Sequence, residues 1–237
     1  MADSLDIILE DHALLVLNKP PGVLTQAPAG IDSLESRARR YLIEAYSKPG
    51  GCYLGVPHRL DRPSSGVLIF GKNVRATSRI CDQLATRAVD KRYWALVENG
   101  PEEDSGTWID YMRKIPNRPV AEIVPPINPN AREAILHFAV LDRLETAQGR
   151  ICRLEIRLET GRMHQIRLQA ASRGFPLLGD AMYGSHRPFG EQFEDGRLRA
   201  IALHARSIAL QHPMTREPLF VEAAATDDWK KIMADLS

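Results

Sequence analysis

Two short segments of the sequence concentrate side chains that could do chemistry. The first, residues 58–66, reads His-Arg-Leu-Asp-Arg-Pro-Ser-Ser-Gly and places Asp61 between Arg59 and Arg62. Positive neighbours favour the charged form of a carboxyl group, which suits a nucleophile or a general base better than a general acid. The spacing leaves a second interpretation open, in which these side chains form a solvated surface ion pair worth about 1 kcal/mol or less.

The second segment, residues 159–167, reads Glu-Thr-Gly-Arg-Met-His-Gln-Ile-Arg. Arg167 falls on the same stripe of a predicted helix as the apolar Ile166 and Ala170. A guanidinium on an apolar face is costly unless a carboxylate meets it. The pattern predicts a buried acidic partner for Arg167, and Asp61 is the best-placed candidate. The alternative is that the stem of Arg167 is buried while its charged head reaches water.

Regular elements surround both segments. Apolar runs bounded by turn residues predict strands, and apolar residues at helical spacing predict helices with outward arginines. The strands are expected at 13–17, 66–72, 93–97 and 152–158, and the helices at 31–45, with Asp32 or Ser33 as its cap, and at 77–88. A capping Thr226 predicts a terminal helix with Trp229 inward.

The stretch 99–132 contains six prolines and an acidic run, and it predicts a weakly structured insertion with irregular hairpins. Strands outnumber helices and do not alternate regularly with them. We therefore predict an α+β fold with a mixed, largely antiparallel central β-sheet flanked by helices. One domain, residues 1–237, is expected to hold the whole chain, with 99–132 as an insertion within it.

Composition restricts the function classes. The cysteines Cys52, Cys81 and Cys152 are far apart, and the histidines lack metal-ligand spacing, so we expect no metal site. No apolar run approaches the roughly 18 residues that cross a bilayer, and no leader peptide is visible at the N-terminus. We expect a cytoplasmic protein without membrane contact, and a monomer.

The formal net charge is +1 and the sequence pI is about 7.8, which at first argues against a nucleic-acid partner. The charge is unevenly distributed, however. Residues 58–92 hold eight Lys and Arg against three Asp and Glu, and residues 150–206 hold ten against six. A positive face around Asp61 would fit RNA.

The two segments also carry a family resemblance. The His58-Arg59-Leu60-Asp61 block and the Thr160-Gly161-Arg162 block, with Gly179 to Gly184 after it, resemble the signature blocks of RluA-type pseudouridine synthases. The resemblance continues in family order through Asn18-Lys19-Pro20-Pro21-Gly22, Lys91 to Val97, Leu203-His204-Ala205 and His212 to Thr215. It covers about residues 7 to 222.

The resemblance implies a pseudouridine synthase-like catalytic fold that isomerises a uridine within RNA, without metal or organic cofactor. Asp61 would be the nucleophile, and Arg59 would fill the space left by the flipped base. Tyr93 would stack on the uracil and is a candidate base, and Arg167 would pair with Asp61. Further RNA contacts are expected from residues of the same two blocks: His58, Arg62, Arg162 and His164.

Four positions depart from the usual family pattern and could affect the choice of RNA: Ser64, Met163, Gln169 and Arg216, the last in a turn position often held by glycine. Many relatives carry an S4-type RNA-binding domain, which this sequence is not expected to contain, so recognition would come from the catalytic domain or a partner. Two other function classes compete: a non-catalytic RNA-binding or chaperone protein, and a carboxylate-based hydrolase. Glycosidases normally need two paired carboxylates, and neither signature block holds a second acid in the right place.

Overall fold

The structure is a computed structural model that describes residues 5–47 and 50–235. These residues divide into two compact units: Met1–Lys91 with Ala205–Thr226, and Arg92–His204 with Asp227–Ser237. In chain order the strands are β1 (Ile7–Glu10), β2 (Leu14–Lys19), β3 (Ser65–Gly71), β4 (Asp90–Glu98), β5 (Ser105–Lys114), β6 (Ala121–Ile123), β7 (Arg132–Thr146), β8 (Gly149–Leu158), β9 (Leu203–Gln211) and β10 (Pro218–Glu222). The helices are α1 (Leu34–Ala45), α2 (Val74–Ala85), α3 (Gln165–Ala171) and α4 (Asp227–Asp235).

The first unit is built around β2 and β3. β2 pairs antiparallel with β1 on one side and with β3 on the other. β3 also neighbours β9, whose residues 207–211 pair antiparallel with β10. Every residue from Ala13 to Leu17 is fully buried, as expected for a strand covered on both faces. Ala76 and Ile80 of α2 pack against one of these faces.

The second unit has the strand order β4-β8-β7-β5-β6, with residues 92–98 representing β4. The pairs β4–β8, β8–β7, β7–β5 and β5–β6 are antiparallel. The alternation expected in β8 is confirmed, because Cys152, Leu154 and Ile156 are buried while Arg157 is exposed. These apolar side chains form a core on which α3 packs through Ile166 and Ala170.

The terminal helix α4 is anchored by one aromatic side chain. Trp229 is fully buried, as predicted. Its ring centroid lies 6.1 Å from that of Trp94 and 6.1 Å from that of His204, and 5.7 Å from that of Phe189. Such tilted and edge-on contacts are the arrangements that aromatic rings prefer. The helix therefore belongs to the second unit although it follows the first in sequence.

The stretch 99–132 is more regular than its composition predicts. Ser105–Lys114 is a ten-residue strand that pairs with β7 along its length, from Ser105 opposite Ala139 to Met112 opposite Arg132. Its buried residues, Trp108 and Met112, point into the second unit's cores. The prolines lie outside β5 and β6, in the connections, where a missing N–H costs nothing.

Helix α1 begins at Leu34, directly after one of the two predicted cap residues, so the apolar spacing starts three residues before the helix itself. Ser33, one of the two predicted caps, closes it with a capping box: the Ser33 side chain accepts from the Ser36 N–H while the Ser36 side chain accepts from the Ser33 N–H. Ile31 lies before the helix and is half exposed. The predicted α+β fold with a largely antiparallel sheet and flanking helices is confirmed; the assignment of 1–237 to one domain stays a prediction.

Candidate active site

Asp61 lies in the loop that leads into β3. Its backbone carbonyl accepts two hydrogen bonds from Ser64, one from the N–H at 3.2 Å and one from the hydroxyl at 2.9 Å. These bonds close a tight turn between the two residues. Serine hydroxyls commonly stabilise such turns by bonding to nearby main-chain groups. The Asp61 side chain is half-buried. Serine at position 64 is therefore part of the structure that sets the direction of Asp61.

Lys19, the last residue of β2, holds this loop through hydrogen bonds. Lys19 is fully buried, and its Nζ donates to the carbonyl oxygens of Pro20 at 2.9 Å, Arg62 at 3.1 Å and Ser64 at 2.7 Å. An ammonium group has three hydrogens, so all of its donors are used. Burial lowers the pKa of Lys19 to about 7, and the Asp61 carboxylate opposes that shift. We call this arrangement the Lys19 clamp.

Two further contacts fix the same loop from residues 22–25. The Thr25 hydroxyl donates to the carbonyl of Leu60 at 2.9 Å and accepts from the Leu60 N–H at 3.1 Å. Gly22 donates its N–H to the carbonyl of Arg62 at 2.8 Å, and Arg62 Nε donates to the carbonyl of Gly22 at 3.0 Å. The residues on both sides of Asp61 are thus bound through their backbones. A nucleophile held in this way needs little reorganisation before reaction.

His58 and Arg59 precede this anchored turn and differ in their surroundings. The Nε2 atom of His58 accepts a hydrogen bond from the Ile69 N–H at 3.0 Å. Burial, and secondarily Lys91, lowers the pKa of His58 to about 4, so the ring is neutral at pH 7. Arg59 is exposed, and its guanidinium has no hydrogen-bond or ion-pair partner within the described ranges.

Tyr93 belongs to the second unit, in β4, where it pairs with Ile156 of β8. Its ring is half-buried and packs against the core that also contains Ile166 of α3. Side chains alternate between the faces of a strand, so Tyr93 shares a face with Ala95 and Val97. This is the face that α3 covers, and Tyr93 therefore lies on the same side of the second unit's sheet as the helix that carries Arg167.

The loop from β8 into α3 is locked by Thr160 and Gln165. The Thr160 hydroxyl donates to Gln165 Oε1 at 2.8 Å and accepts from the Ile135 N–H at 2.8 Å. Gln165 Oε1 also accepts from the Arg162 N–H at 3.0 Å, and its amide donates to the carbonyl of Ile135 at 3.0 Å. Arg162 is exposed, with Nε bound to the carbonyl of Glu133 at 2.8 Å. The second signature segment thus fixes where α3 begins.

Arg167 is buried in α3 and forms an ion pair with Asp180. Its Nε donates to Oδ2 at 2.7 Å and its Nη2 to Oδ1 at 2.8 Å, while the side chains are 4% and 1% exposed. This two-point geometry is the strong form of an arginine–carboxylate contact. The predicted buried acidic partner is confirmed, but the residue found is Asp180. Pairing with Asp61, which belongs to the other unit, stays a prediction.

Tyr183 connects Arg167 with two neighbouring segments. The guanidinium carbon of Arg167 lies 5.1 Å from the centre of the Tyr183 ring, within the range of a cation–π contact. The Tyr183 hydroxyl accepts from the Ala121 N–H at 3.1 Å and lies 2.8 Å from Nδ1 of His164. His164 has a φ of 53°, the left-handed region, at the residue where α3 begins. One side chain thus ties β6, the start of α3 and Arg167 together.

Three residues that the sequence interpretation did not single out thus shape the candidate site: Lys19, Asp180 and Tyr183. A lysine at the end of an apolar strand followed by Pro-Pro-Gly is an unusual pattern and could have indicated a buried ammonium. Asp180 and Tyr183 belong to a short stretch with a 3₁₀ turn (Ala181–Tyr183). Such a turn has no periodic signal, so nothing in the sequence pattern alone connects it with α3.

Within the described part of the chain, no group of three or more His, Cys, Asp and Glu side chains is arranged to hold a metal ion. Among the same residues, no helix is both long enough and apolar enough to span a bilayer.

Comparison with known proteins identifies the family. A model of the RNA pseudouridylate synthase family matches residues 13–172, more than half of the chain. The chain belongs to this family. Relatives include "tRNA pseudouridine synthase C" of Vibrio parahaemolyticus, 28% identical over 96% of this chain and 93% of the relative. Another is "Ribosomal large subunit pseudouridine synthase C" of Pasteurella multocida, 32% identical over 97% of this chain and 67% of the relative.

Solved structures support the same fold. The human protein "RNA Pseudouridylate Synthase Domain Containing 4" superposes with a TM-score of 0.77 at 20% identity, over 97% of this chain and 92% of that one. The chain is therefore an RNA pseudouridine synthase, and the enzyme class predicted from the signature segments is confirmed. The competing interpretations, a non-catalytic RNA-binding protein and a carboxylate-based hydrolase, are not favoured.

Proposed function

We propose that this synthase converts uridine in transfer or ribosomal RNA into pseudouridine, with Asp61 as the nucleophile and the target base flipped out of the RNA. The observation that carries the proposal is the Lys19 clamp. It fixes the backbone on the C-terminal side of Asp61, while Thr25 fixes Leu60 on the other side. Both neighbours of Asp61 in the chain are thus held through their main-chain carbonyl groups, which supports Asp61 as the nucleophile.

The reaction conserves all atoms. The Asp61 carboxylate attacks the target nucleotide, and the bond between N1 of uracil and C1′ of the ribose breaks. The base then rotates so that its C5 faces C1′. A C5–C1′ bond forms, and the bond between the Asp61 carboxylate and the nucleotide breaks, which regenerates the carboxylate. The proton on C5 leaves and N1 gains a proton, so the product is an isomer of the substrate. An ionised carboxylate is required for the first step.

Base flipping gives Arg59 its role. A uridine within a helical RNA is inaccessible, and taking it out of the stack costs a few kcal/mol. The Arg59 side chain is exposed and uncommitted next to Asp61 in the described part of the chain. A planar guanidinium can stack between bases and contact phosphate at once. Arg59 therefore enters the RNA and occupies the space that the target base leaves.

Tyr93 and Arg167 complete the proposed set of catalytic residues from the second unit. The Tyr93 ring stacks on the flipped uracil, and its hydroxyl takes the proton that leaves C5. Arg167 carries a charge that Asp180 and the Tyr183 ring orient, and it pairs with the Asp61 carboxylate. Exposed Arg162 and the half-buried His164 and Arg62 contribute RNA contacts, and His58 contacts RNA through the ring edge that Ile69 does not use.

The substrate class follows from the names of the relatives, one of which is a transfer-RNA enzyme and another a ribosomal one. The enzyme acts in the compartment where these RNAs are made and used, the cytoplasm. It is proposed to work as a monomer, without metal or organic cofactor, because the isomerisation needs only a nucleophile, a base and a site that excludes water.

The test is a map of pseudouridine in cellular RNA by carbodiimide treatment and primer extension. Three strains are compared: wild type, a deletion, and one that carries Asp61→Asn, which keeps the size of the side chain and removes its charge. We expect at least one stop in wild type that is absent from both other strains. An Asp61→Asn strain that retains every wild-type stop would refute the role of Asp61. A deletion strain with an unchanged map would refute the substrate class.

A further inference from the structure

Three arginines gather on the first unit, away from the Asp61 loop. Arg75 and Arg79 lie on α2 at a spacing of four residues, so they share one helix face. Arg216 lies in the turn between β9 and β10. The Nη1 of Arg79 donates to the carbonyl of Pro213 in that turn at 2.7 Å, which brings α2 and the turn together. We call these three side chains the arginine cluster.

The turn that carries Arg216 is rigid. The Nδ1 atom of His212 accepts from the Thr215 N–H at 3.0 Å, and its Nε2 lies 2.8 Å from Oδ2 of Asp11. The Arg216 N–H donates to the carbonyl of His212 at 3.0 Å. Arg216 itself has a φ of 69°, in the left-handed region that residues with a Cβ seldom adopt. A large charged side chain is thus held at a position that favours glycine.

No carboxylate neutralises the arginine cluster in the part of the chain that the structure describes. The acidic residues nearest in sequence are Asp82 and Glu217, and neither forms an ion pair with it there. The pKa of Arg79 is lowered by desolvation and by the charges of Arg75 and Arg216. Like charges at this spacing on a helix destabilise it. The cluster therefore costs folding stability, and an anionic partner would offset that cost.

The cluster lies far from Asp61 along the first unit. Asp61 precedes β3, whereas α2 follows it, so the seven residues of β3 separate the two sites. At about 3.3 Å per residue, this strand spans roughly 20 Å. A molecule that touches both sites must be long and carry repeated negative charge, and an RNA strand meets this requirement.

We propose that Arg75, Arg79 and Arg216 form an accessory binding site for backbone phosphates of the substrate RNA, several nucleotides away from the target uridine. The inference rests on the proposed function for the identity of the ligand. Arginine is suited to this role because its planar fork of donors matches phosphate oxygens. The site contributes affinity and orientation, and it takes no part in the chemical step.

The experiment compares two variants of the full-length chain with equal net charge. The test variant is Arg75→Gln/Arg79→Gln/Arg216→Gln. The control is Arg40→Gln/Arg197→Gln/Lys230→Gln, which removes three exposed cations that each have a carboxylate partner. Binding of a 12-base-pair RNA duplex is measured against salt concentration. The slope of log K against log[salt] should shrink by about 0.9 for each phosphate that the test variant no longer neutralises, and it should remain near wild type in the control.

Thermal unfolding shows whether the test variant is folded. Relief of repulsion should raise its Tm and loss of the hydrogen bond from Arg79 to Pro213 should lower it, so we expect one cooperative transition near that of wild type. Equal salt slopes in the test variant and wild type, or no duplex binding by wild type, would overturn the proposal. So would a loss of binding to anionic phospholipid vesicles without a loss of RNA binding. Pseudouridine formation is assayed separately over a range of RNA concentrations, which gives kcat and KM. A test variant with the kcat of wild type and a raised KM supports the accessory role. If wild type forms no pseudouridine but binds RNA through the arginine cluster, the proposed function is refuted and the accessory site is not.

Discussion

Arg167 and Asp180 form a buried two-point ion pair across thirteen residues of sequence, from α3 to the 3₁₀ turn that follows it. Both side chains are almost completely removed from solvent. The carboxylate fixes the guanidinium in one plane and satisfies two of its donors, and Nη2 also donates to the sulfur of Met182 at 3.7 Å. The ion pair therefore sets the orientation of the Arg167 side chain within the second unit.

Removal of the Asp180 charge should destabilise the protein strongly. Asp180→Asn keeps the size of the side chain but leaves the buried Arg167 without a counter-charge, which costs about 3–5 kcal/mol when one partner of such a pair is removed. The free energy of unfolding in urea is the measurement. Asp195→Asn is the matched control, because the Asp195–Arg197 pair is exposed and should change stability by less than about 1 kcal/mol. Equal effects of the two substitutions would contradict the importance of burial.

The Lys19 clamp should leave a signature in the pH dependence of stability. The pKa of about 7 in the folded state lies below the ordinary value of 10.5. Between these values the unfolded chain binds a proton that the folded chain has released, so stability rises with pH in that window. The rise should reach up to about 1.4 kcal/mol per pH unit relative to Lys19→Met. Unfolding curves of both proteins at pH 6 to 10 provide the check, and parallel stability profiles would show that Lys19 keeps its ordinary pKa.

Arg59→Ala should impair catalysis and leave the fold intact. The side chain has no partner in the described structure, so its removal should change the free energy of unfolding by no more than about 0.5 kcal/mol. Without the group that fills the RNA stack, kcat/KM should fall at least about tenfold, equivalent to 1.4 kcal/mol of transition-state stabilisation. Single-turnover assays on substrate RNA measure this. Arg40→Ala removes an equally exposed cation on α1 and serves as the control; normal turnover by Arg59→Ala would exclude its proposed role.

Tyr183→Phe separates the two contacts of that side chain. The ring over Arg167 remains, but the hydroxyl that bonds the Ala121 N–H and His164 is removed. An unpaired, partly buried N–H should lower the free energy of unfolding by about 1–3 kcal/mol. Tyr53→Phe, at an exposed position, should have no effect. Hydrogen exchange at the Ala121 amide tests this contact directly, and we expect the exchange to be faster in Tyr183→Phe but not in Tyr53→Phe. Unchanged protection of the amide in Tyr183→Phe would mean that the hydroxyl does not hold β6.

Sequence patterns were sufficient for four of the ten described strands, β2, β3, β4 and β8, and for the approximate positions of the helices. The alternation in β8 and the apolar run of β2 each reflect burial along a single element, which periodicity reports directly. The sequence also indicated that Arg167 needs an acid. It could not identify Asp180, because that contact depends on a non-periodic turn folding back onto α3. The prediction for the stretch that contains β5 was wrong, because its prolines suggested a weakly structured insertion. The strand forms nevertheless, since it is stabilised by pairing with β7.

In the Lys19 clamp, the lysine binds main-chain carbonyl oxygens, and every amino acid residue has a main-chain carbonyl. The side chain at position 62 can therefore be exchanged while the lysine continues to hold the main chain beside Asp61 in place. The surface beside Asp61 is therefore a suitable place to vary side chains when a synthase with altered RNA preference is wanted. A library at position 62, together with the uncommitted position 59, would vary the surface offered to RNA without moving the carboxylate.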